Sequence, residues 1–351
     1  MNVPEHASPA ASASRSRWQR IGPVVTLLLL SPIVSEVLAG STRLTTLFVL
    51  IPATGVWGCA ALLIREASRR WGKAGSLLLL GLALAVAEEC IIQQTSLAPL
   101  VGSDAAHGYG RSLGVNWVYL VWALGFESIW AVVVPVALTG VLFPDRRNEV
   151  WIGRRGAWIA AVVLVLSSFA AWYSWTQVYV PKFFPQSVYH PPLTPRLIAL
   201  AAIGALIFAA VRVRRSAPVV SPPSFSPLPS GRMVGLAAFA LALPWYLLVL
   251  LAFNVLPALP VTVPLLGGLV IAVAAMRWPG RWLAQPDFGD AHRLALILGV
   301  VAATLVGGIA TLAAAKALLI DRIAQIGFNL ATIAWLLALA RRRSGEAVAA
   351  Q

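Results

Sequence analysis

The chain has 351 residues, of which 59% are hydrophobic and 11% are charged, and its formal net charge is +14. With a mean hydropathy of +0.81, this composition excludes a soluble globular protein and predicts an all-α, polytopic integral membrane protein. The positive charge alone would also fit a nucleic-acid-binding protein, so the positions of the basic residues decide what the charge means.

Ten apolar stretches have about the length that crosses the hydrocarbon core of a bilayer. Because lipid offers the backbone no hydrogen-bond partner, each stretch is predicted to be a helix. The first stretch follows an arginine-bearing tail, as in a signal peptide, but it continues past Pro32 to Gly40 without a convincing cleavage site, which predicts a retained helix. The predicted spans are residues 21–40, 44–64, 74–97, 116–142, 156–177, 195–211, 233–255, 259–276, 293–315 and 322–340.

The basic residues lie mainly on one side of these ten spans, the side that also carries both chain ends. An excess of Lys and Arg marks the cytoplasmic side of a membrane protein. The sequence therefore predicts cytoplasmic termini in a bacterial inner membrane, with the lipid bilayer and no nucleic acid as partner. Of the 27 basic residues, all fall on the cytoplasmic side except Arg43, Arg111, Lys182, Arg196, Lys316 and Arg322.

Composition divides the chain into two membrane regions. The stretch 216–231 is rich in Pro and Ser and cannot bury enough apolar surface to order itself, which predicts a cytoplasmic linker. Another stretch, residues 178–195, mixes five prolines with aromatic residues and predicts an extended segment against the headgroups. The predicted regions are 1–20 (tail), 21–215 (six helices), 216–231 (linker), 232–340 (four helices) and 341–351 (tail).

Four glutamates, Glu36, Glu88, Glu89 and Glu127, interrupt the predicted spans. A charged carboxylate is costly at such depth, so these residues usually face a protein interior and mark an ion, proton or chemical site. In the predicted orientation, Glu36 lies roughly 6 Å below the outer surface, Glu88 and Glu89 roughly 13 Å, and Glu127 roughly 16 Å. Alternatively, each glutamate is a protonated tie between helices, or it reaches back to the surface, which is easiest for Glu36.

The neighbours on each helix face indicate which of these glutamates point into the helix bundle. Adjacent residues of an α-helix diverge by about 100°, so Glu88 and Glu89 are predicted to point in different directions. Glu89 shares its face with the polar residue Gln93, which favours Glu89 as the residue that faces the bundle. Glu127 is flanked by alanines at i−4 and i+4, a stripe that suits close helix contact.

The doubled glutamate resembles the first motif of the CAAX-protease and bacteriocin-processing (CPBP) family of glutamic intramembrane proteases. That family has EExxxR on one helix, FxxxH on the next, and a further His and an Asn or Asp later. Here Glu88 to Gln93 reads EECIIQ, with Gln93 in place of the arginine, and Glu127 stands where the histidine would. The resemblance covers roughly residues 44–145. All four histidines lie outside the spans, and the later intramembrane candidates are Asn254 and Asn329. The run from Leu62 to Glu89 also looks like an actinobacterial-type family of polytopic membrane proteins.

The resemblance implies a glutamic-type intramembrane peptidase or an inactive relative, acting on a membrane-embedded peptide. In that reading Glu88 or Glu89 is the general base that activates water, Glu127 is the opposing group, and Gln93 completes the site. No cofactor is predicted, and a metal ion stays open because no His-rich spacing supports zinc.

Two other classes stay open beside the peptidase. A cation- or proton-coupled transporter fits the protonatable carboxylates and the proline-broken first helix. It would need a polar route through the cytoplasmic half, where the spans read as almost uniformly apolar. The third class is a non-catalytic membrane assembly partner.

Overall fold

The computed structural model describes residues 16–98, 108–183, 191–213, 228–250, 259–283, 285–314 and 317–349. These residues are mostly helical, with one hairpin of two short strands. Within them, nine helices are long and apolar enough to cross a membrane. The predicted all-α membrane class is therefore confirmed at this level. The helix in the third predicted span is shorter, with twelve α-helical residues followed by five in a π-helical turn.

The helices are numbered α1 to α10 in chain order, and several change geometry along their length. Their bounds are α1 (Arg17–Pro32, then a π-helical turn Ile33–Val37), α2 (3-10 Leu44–Val49, α Leu50–Ala53, π Thr54–Gly58, α Cys59–Trp71), α3 (Ser76–Ala87, then π Glu88–Ile92), α4 (Trp117–Phe126, π Glu127–Val133, α Val134–Leu142), α5 (Arg154–Trp172, π Tyr173–Tyr179, α Val180–Phe183), α6 (Leu193–Arg212), α7 (Gly231–Leu250), α8 (Thr262–Leu283), α9 (Asp290–Ala314) and α10 (Leu319–Ala349). The strands are β1 (Arg111–Ser112) and β2 (Val115–Asn116), which pair antiparallel before α4.

Helix α4 occupies the centre of the bundle. It packs against α1 and α3 on one side and against α7, α8 and α9 on the other, so it contacts helices from both predicted membrane regions. Along α4, the rings of Trp122 and Phe126 stack at 4.8 Å, and those of Phe126 and Trp130 at 5.3 Å. Large aromatic side chains in such stacks bury much apolar surface and resist rearrangement. The helix that carries Glu127 is therefore held from several directions.

Helices α1 and α2 approach each other closely at Pro32 and Gly58. There α1 lacks a backbone hydrogen bond and α2 lacks a side chain. Pro32 has no amide to donate to the carbonyl one turn earlier, that of Leu28. Gly58 of α2 lies against this carbonyl, and a Cβ atom there would overlap the Leu28 oxygen. The missing side chain of Gly58 thus lets α2 come up to α1 beside the π-helical turns.

Several predicted boundaries differ from the structure. Helix α2 continues to Trp71 rather than ending at residue 64, and Gly72 stops it with a left-handed conformation at φ 64°. Helix α5 continues to Phe183, so the predicted extended segment 178–195 is wrong for its first residues. Helix α10 reaches Ala349, so most of the predicted tail 341–351 is helical. Most of the predicted linker 216–231 lies outside the described residues.

Candidate functional site

The four glutamates all lie in π-helical turns, those of α1, α3 and α4. Trp57, a hydrogen-bond partner of Glu36, lies in the π-helical turn of α2. A π-helical turn closes from i to i+5 rather than i+4, and such turns are rare and frequent at functional sites. Four neighbouring helices therefore depart from α geometry where their polar side chains meet.

The carboxyl groups of α3 and α4 meet in the protein interior. Glu88 is 1% exposed, Glu89 2% and Glu127 7%. The Glu89 and Glu127 carboxyls lie within hydrogen-bonding reach of each other across the interface of the two helices, and Glu88 and Glu36 lie nearby. A carboxylate is only an acceptor, so a hydrogen bond between two carboxyls requires a proton on one of them.

Two of the four glutamates have clear hydrogen-bond donors. Ser96, which follows the π-helical turn of α3, donates its hydroxyl to Glu89 Oε2 at 2.6 Å. Trp57 Nε1 donates to Glu36 Oε1 at 3.1 Å, and the Thr42 hydroxyl donates to Glu36 Oε2 at 3.3 Å. Glu36 is also the most exposed of the four, which places it at the edge of the cluster.

Glu88 differs from its neighbours because neither of its carboxyl oxygens has a hydrogen-bond partner among the described residues. One oxygen of Glu127, Oε2, also lacks a hydrogen-bond partner among the described residues. Burying an unpaired polar group costs free energy, and an ionised one costs far more. The cluster therefore buries carboxyl oxygens whose hydrogen-bonding capacity the described residues leave unused.

Not all of the predicted site residues take part in the glutamate cluster. Both Glu88 and Glu89 are buried at the cluster, although only Glu89 was favoured to face the bundle. Gln93 is half-buried, and its backbone amide donates to the Glu88 carbonyl. Among the described contacts, its side chain makes no hydrogen bond to the carboxyls. Glu88, Glu89 and Glu127 thus come together, whereas the predicted participation of Gln93 has no support in these contacts.

Described residues between α3 and α4 fix the position of Ser96, which donates to Glu89. Ser96 is fully buried, and its backbone carbonyl accepts from the amide of Asn116 in β2. The Asn116 side chain accepts from the Tyr119 amide and so caps α4 at 3.0 Å. Arg111 of β1 donates to the carbonyl of Leu97 at 3.0 Å. These bonds hold Ser96 in position over Glu89.

A buried charged pair near the basic end of α2 was missed by the sequence analysis. Arg65 and Glu66 are each 2% exposed and form a salt bridge. The Arg65 guanidinium lies 3.4 Å from the ring centroid of Trp151 and donates to the Arg147 carbonyl, while Glu66 accepts from the Trp151 amide. Assigning Arg65 to a loop was wrong. The helical run from Cys59 to the C-cap Gly72 was the signal available in the sequence.

Asn329, the later intramembrane asparagine, does not join the glutamates. Its side-chain carbonyl accepts from Gln325, and its amide donates to the Leu305 carbonyl. Gln325 in turn donates to the Val37 and Leu38 carbonyls, which α1 leaves free where it ends. Asn254 and three of the four histidines lie outside the described residues. His292 lies at the start of α9, beside Phe288.

No group of three or more His, Cys, Asp or Glu side chains in the described part of the chain is placed to hold a metal ion. Comparison with protein-family profiles, with curated proteins and with solved structures found no match. The function must therefore be argued from the cluster itself.

Proposed function

We propose that the chain is a ten-span protein of a bacterial inner membrane with both termini in the cytoplasm. Helix α3, together with its π-helical turn, is about 25 Å long, close to the roughly 30 Å of bilayer hydrocarbon. It packs between α4 and α6, which supports counting it as the tenth span. The basic residues Arg65, Arg69 and Arg147 come together at the end of the bundle opposite the glutamates, as the asymmetry of Lys and Arg predicts.

We propose further that the glutamate cluster is the active site of a divergent CPBP-like intramembrane peptidase. The observation that supports it is the close approach of the buried Glu89 and Glu127 carboxyls, within reach of a shared proton. These two residues stand where the resemblance has its glutamate and its histidine. Two carboxyls that share one proton form an acid–base pair, the arrangement by which aspartic proteases activate water.

The roles within this pair follow from its hydrogen bonds. Ser96 donates to Glu89 and so fixes the orientation of this carboxyl, which suits Glu89 to the role of the base. Glu89 would take a proton from a water whose oxygen attacks the scissile carbonyl carbon, while protonated Glu127 gives its proton to the carbonyl oxygen. Collapse of the tetrahedral intermediate breaks the C–N bond, and the proton held by Glu89 passes to the leaving amine. One hydroxyl of the intermediate returns its proton to Glu127 as the carboxylic acid product forms. Glu88, which has no hydrogen-bond partner among the described residues, would bind a polar group of the peptide.

The test is cleavage of a membrane-embedded peptide by the purified protein in liposomes. Glu89→Gln and Glu127→Gln should each lower the rate by about a hundredfold or more, because each removes one half of the acid–base pair. Glu149→Gln is the matched control, since Glu149 lies in the loop after α4 and pairs with Arg146 away from the cluster. Full cleavage by both site variants would contradict the proposal.

A second function, proton-coupled transport, is favoured by a different observation. The half of the bundle opposite the glutamates is less apolar than the sequence suggested, because it buries the Arg65–Glu66 pair and Thr139. Buried ionisable groups in both halves of a bundle are typical of proton pathways. If reconstituted protein moves protons across vesicles in a Glu89-dependent way and cleaves no peptide, transport is the function.

A further inference from the structure

Three arginines from separate elements meet at the basic end of the bundle. Arg69 of α2 donates from Nη1 to Asn148 Oδ1 at 3.1 Å. Asn148 follows Arg147 in the loop after α4, and Arg147 forms a salt bridge with Asp290. Arg293, one turn into α9, also binds Asp290, at 2.7 Å. The three guanidinium groups are therefore held as one group, which we call the arginine triad.

The charge of the arginine triad is not balanced within the described part of the protein. Arg147 and Arg293 share one carboxylate, Asp290. The nearby acids Glu66 and Glu149 are bound to other arginines, Arg65 and Arg146. Arg69 has only the neutral Asn148 oxygen as a described side-chain acceptor. The triad thus carries three positive charges against one negative charge.

This imbalance lies in a partly buried place, where water screens it less than at an open surface. The Arg147 and Arg293 side chains are 29% and 34% exposed, and Arg69 is half-buried beside both of them. Like charges in such a place repel one another. A bound anion would relieve the repulsion, and the remaining exposure leaves it a way in.

We propose that the arginine triad binds the phosphate of an anionic membrane phospholipid. A guanidinium group presents a planar fork of donors that matches two phosphate oxygens. The triad lies at the ends of three spanning helices, where lipid headgroups lie, and basic clusters at this level attract anionic lipids. This inference does not depend on the activity proposed for the glutamates.

The test uses the full-length protein, stripped of lipid in detergent and titrated with phosphatidylglycerol or phosphatidylcholine. Phosphatidylglycerol should bind in preference, and Arg69→Gln should weaken its binding about fivefold, as expected for one arginine near a membrane surface. Arg155→Gln is the matched control, because Arg155 is an exposed arginine at the start of α5. It should leave the affinity unchanged. Native mass spectrometry gives the number of lipids retained.

A second variant, Arg69→Lys, keeps the charge but removes the fork, and it guards against a folding defect in Arg69→Gln. It should bind phosphatidylglycerol less tightly than the wild type and more tightly than Arg69→Gln. Equal losses in Arg69→Gln and Arg155→Gln would overturn the proposal, because they would show diffuse attraction without a site. Stabilisation by inorganic phosphate alone, equal to that by phosphatidylglycerol, would overturn it in favour of a small-anion site.

Discussion

Glu88 and Glu89 are adjacent in the chain and equally buried, yet their surroundings differ. Glu89 accepts from Ser96 and lies within hydrogen-bonding reach of Glu127, whereas both oxygens of Glu88 lack a partner among the described residues. An unsatisfied buried polar group costs about 1–3 kcal/mol. Proteins keep such destabilising groups mainly where function needs them. The contrast predicts that Glu88 lowers the stability of the fold, whereas Glu89 contributes to it.

Glu88→Met should therefore stabilise the protein by about 1–3 kcal/mol, because an apolar side chain of similar size removes the unpaired carboxyl. Glu89→Met should destabilise it, since Ser96 and Glu127 would lose their partner. Thermal unfolding of the purified variants in one detergent measures both changes. Destabilisation of similar size in the two variants would show that Glu88 has a partner in the folded protein.

Hydropathy and charge place the glutamates at similar depths, and that much of the site can be predicted from the sequence. The individual partners cannot, because they depend on local geometry. Gln93 shares a face with Glu89 only if the helix closes from i to i+4, and the π-helical turn of α3 closes from i to i+5. Ser96 lies beyond this turn, in a loop where no periodicity indicates its position.

At the scale of the helices, hydropathy identifies the spans well and their ends poorly. Charged residues usually mark the edge of a span, so Arg65 was taken for the end of α2. The helix instead continues to Trp71, because Glu66 and backbone carbonyls of the loop between α4 and α5 satisfy the charge of Arg65. Pairing between residues distant in sequence, here Glu66 and the Trp151 amide, is not visible in a hydropathy profile.

Close helix contact should make Gly58→Ala destabilising. The added methyl group would overlap the Leu28 carbonyl oxygen and push α2 away from α1. Overpacking of this kind costs about 1–3 kcal/mol. Gly204→Ala is the control, because a Cβ atom at this position of α6 would meet nothing within 4 Å. It should be neutral or slightly stabilising. Equal unfolding temperatures for the two variants would contradict the tight α1–α2 contact.

On the scale of the whole molecule, α2 connects two polar centres. Trp57, near the middle of α2, donates to the Glu36 carboxyl, and Arg65 and Glu66 lie roughly 12–14 Å further along the helix axis. The Arg65–Glu66 pair fixes the basic end of α2 to the loop between α4 and α5 through the Arg147 carbonyl and the Trp151 amide. Since α4 carries Glu127, these contacts also fix the position of α2 relative to the glutamate cluster.

Replacing one residue of the Arg65–Glu66 pair should therefore destabilise the protein more than replacing both residues. Arg65→Met leaves Glu66 as a buried carboxylate without its cation, and the loss of one partner of a buried pair costs about 3–5 kcal/mol. Replacing both, Arg65→Met with Glu66→Leu, removes the unpaired charge and should recover part of that stability. A double-mutant cycle by thermal unfolding measures the coupling. If the two single losses add in the double variant, the pair does not act as a unit, and α2 must be fixed by its apolar contacts alone.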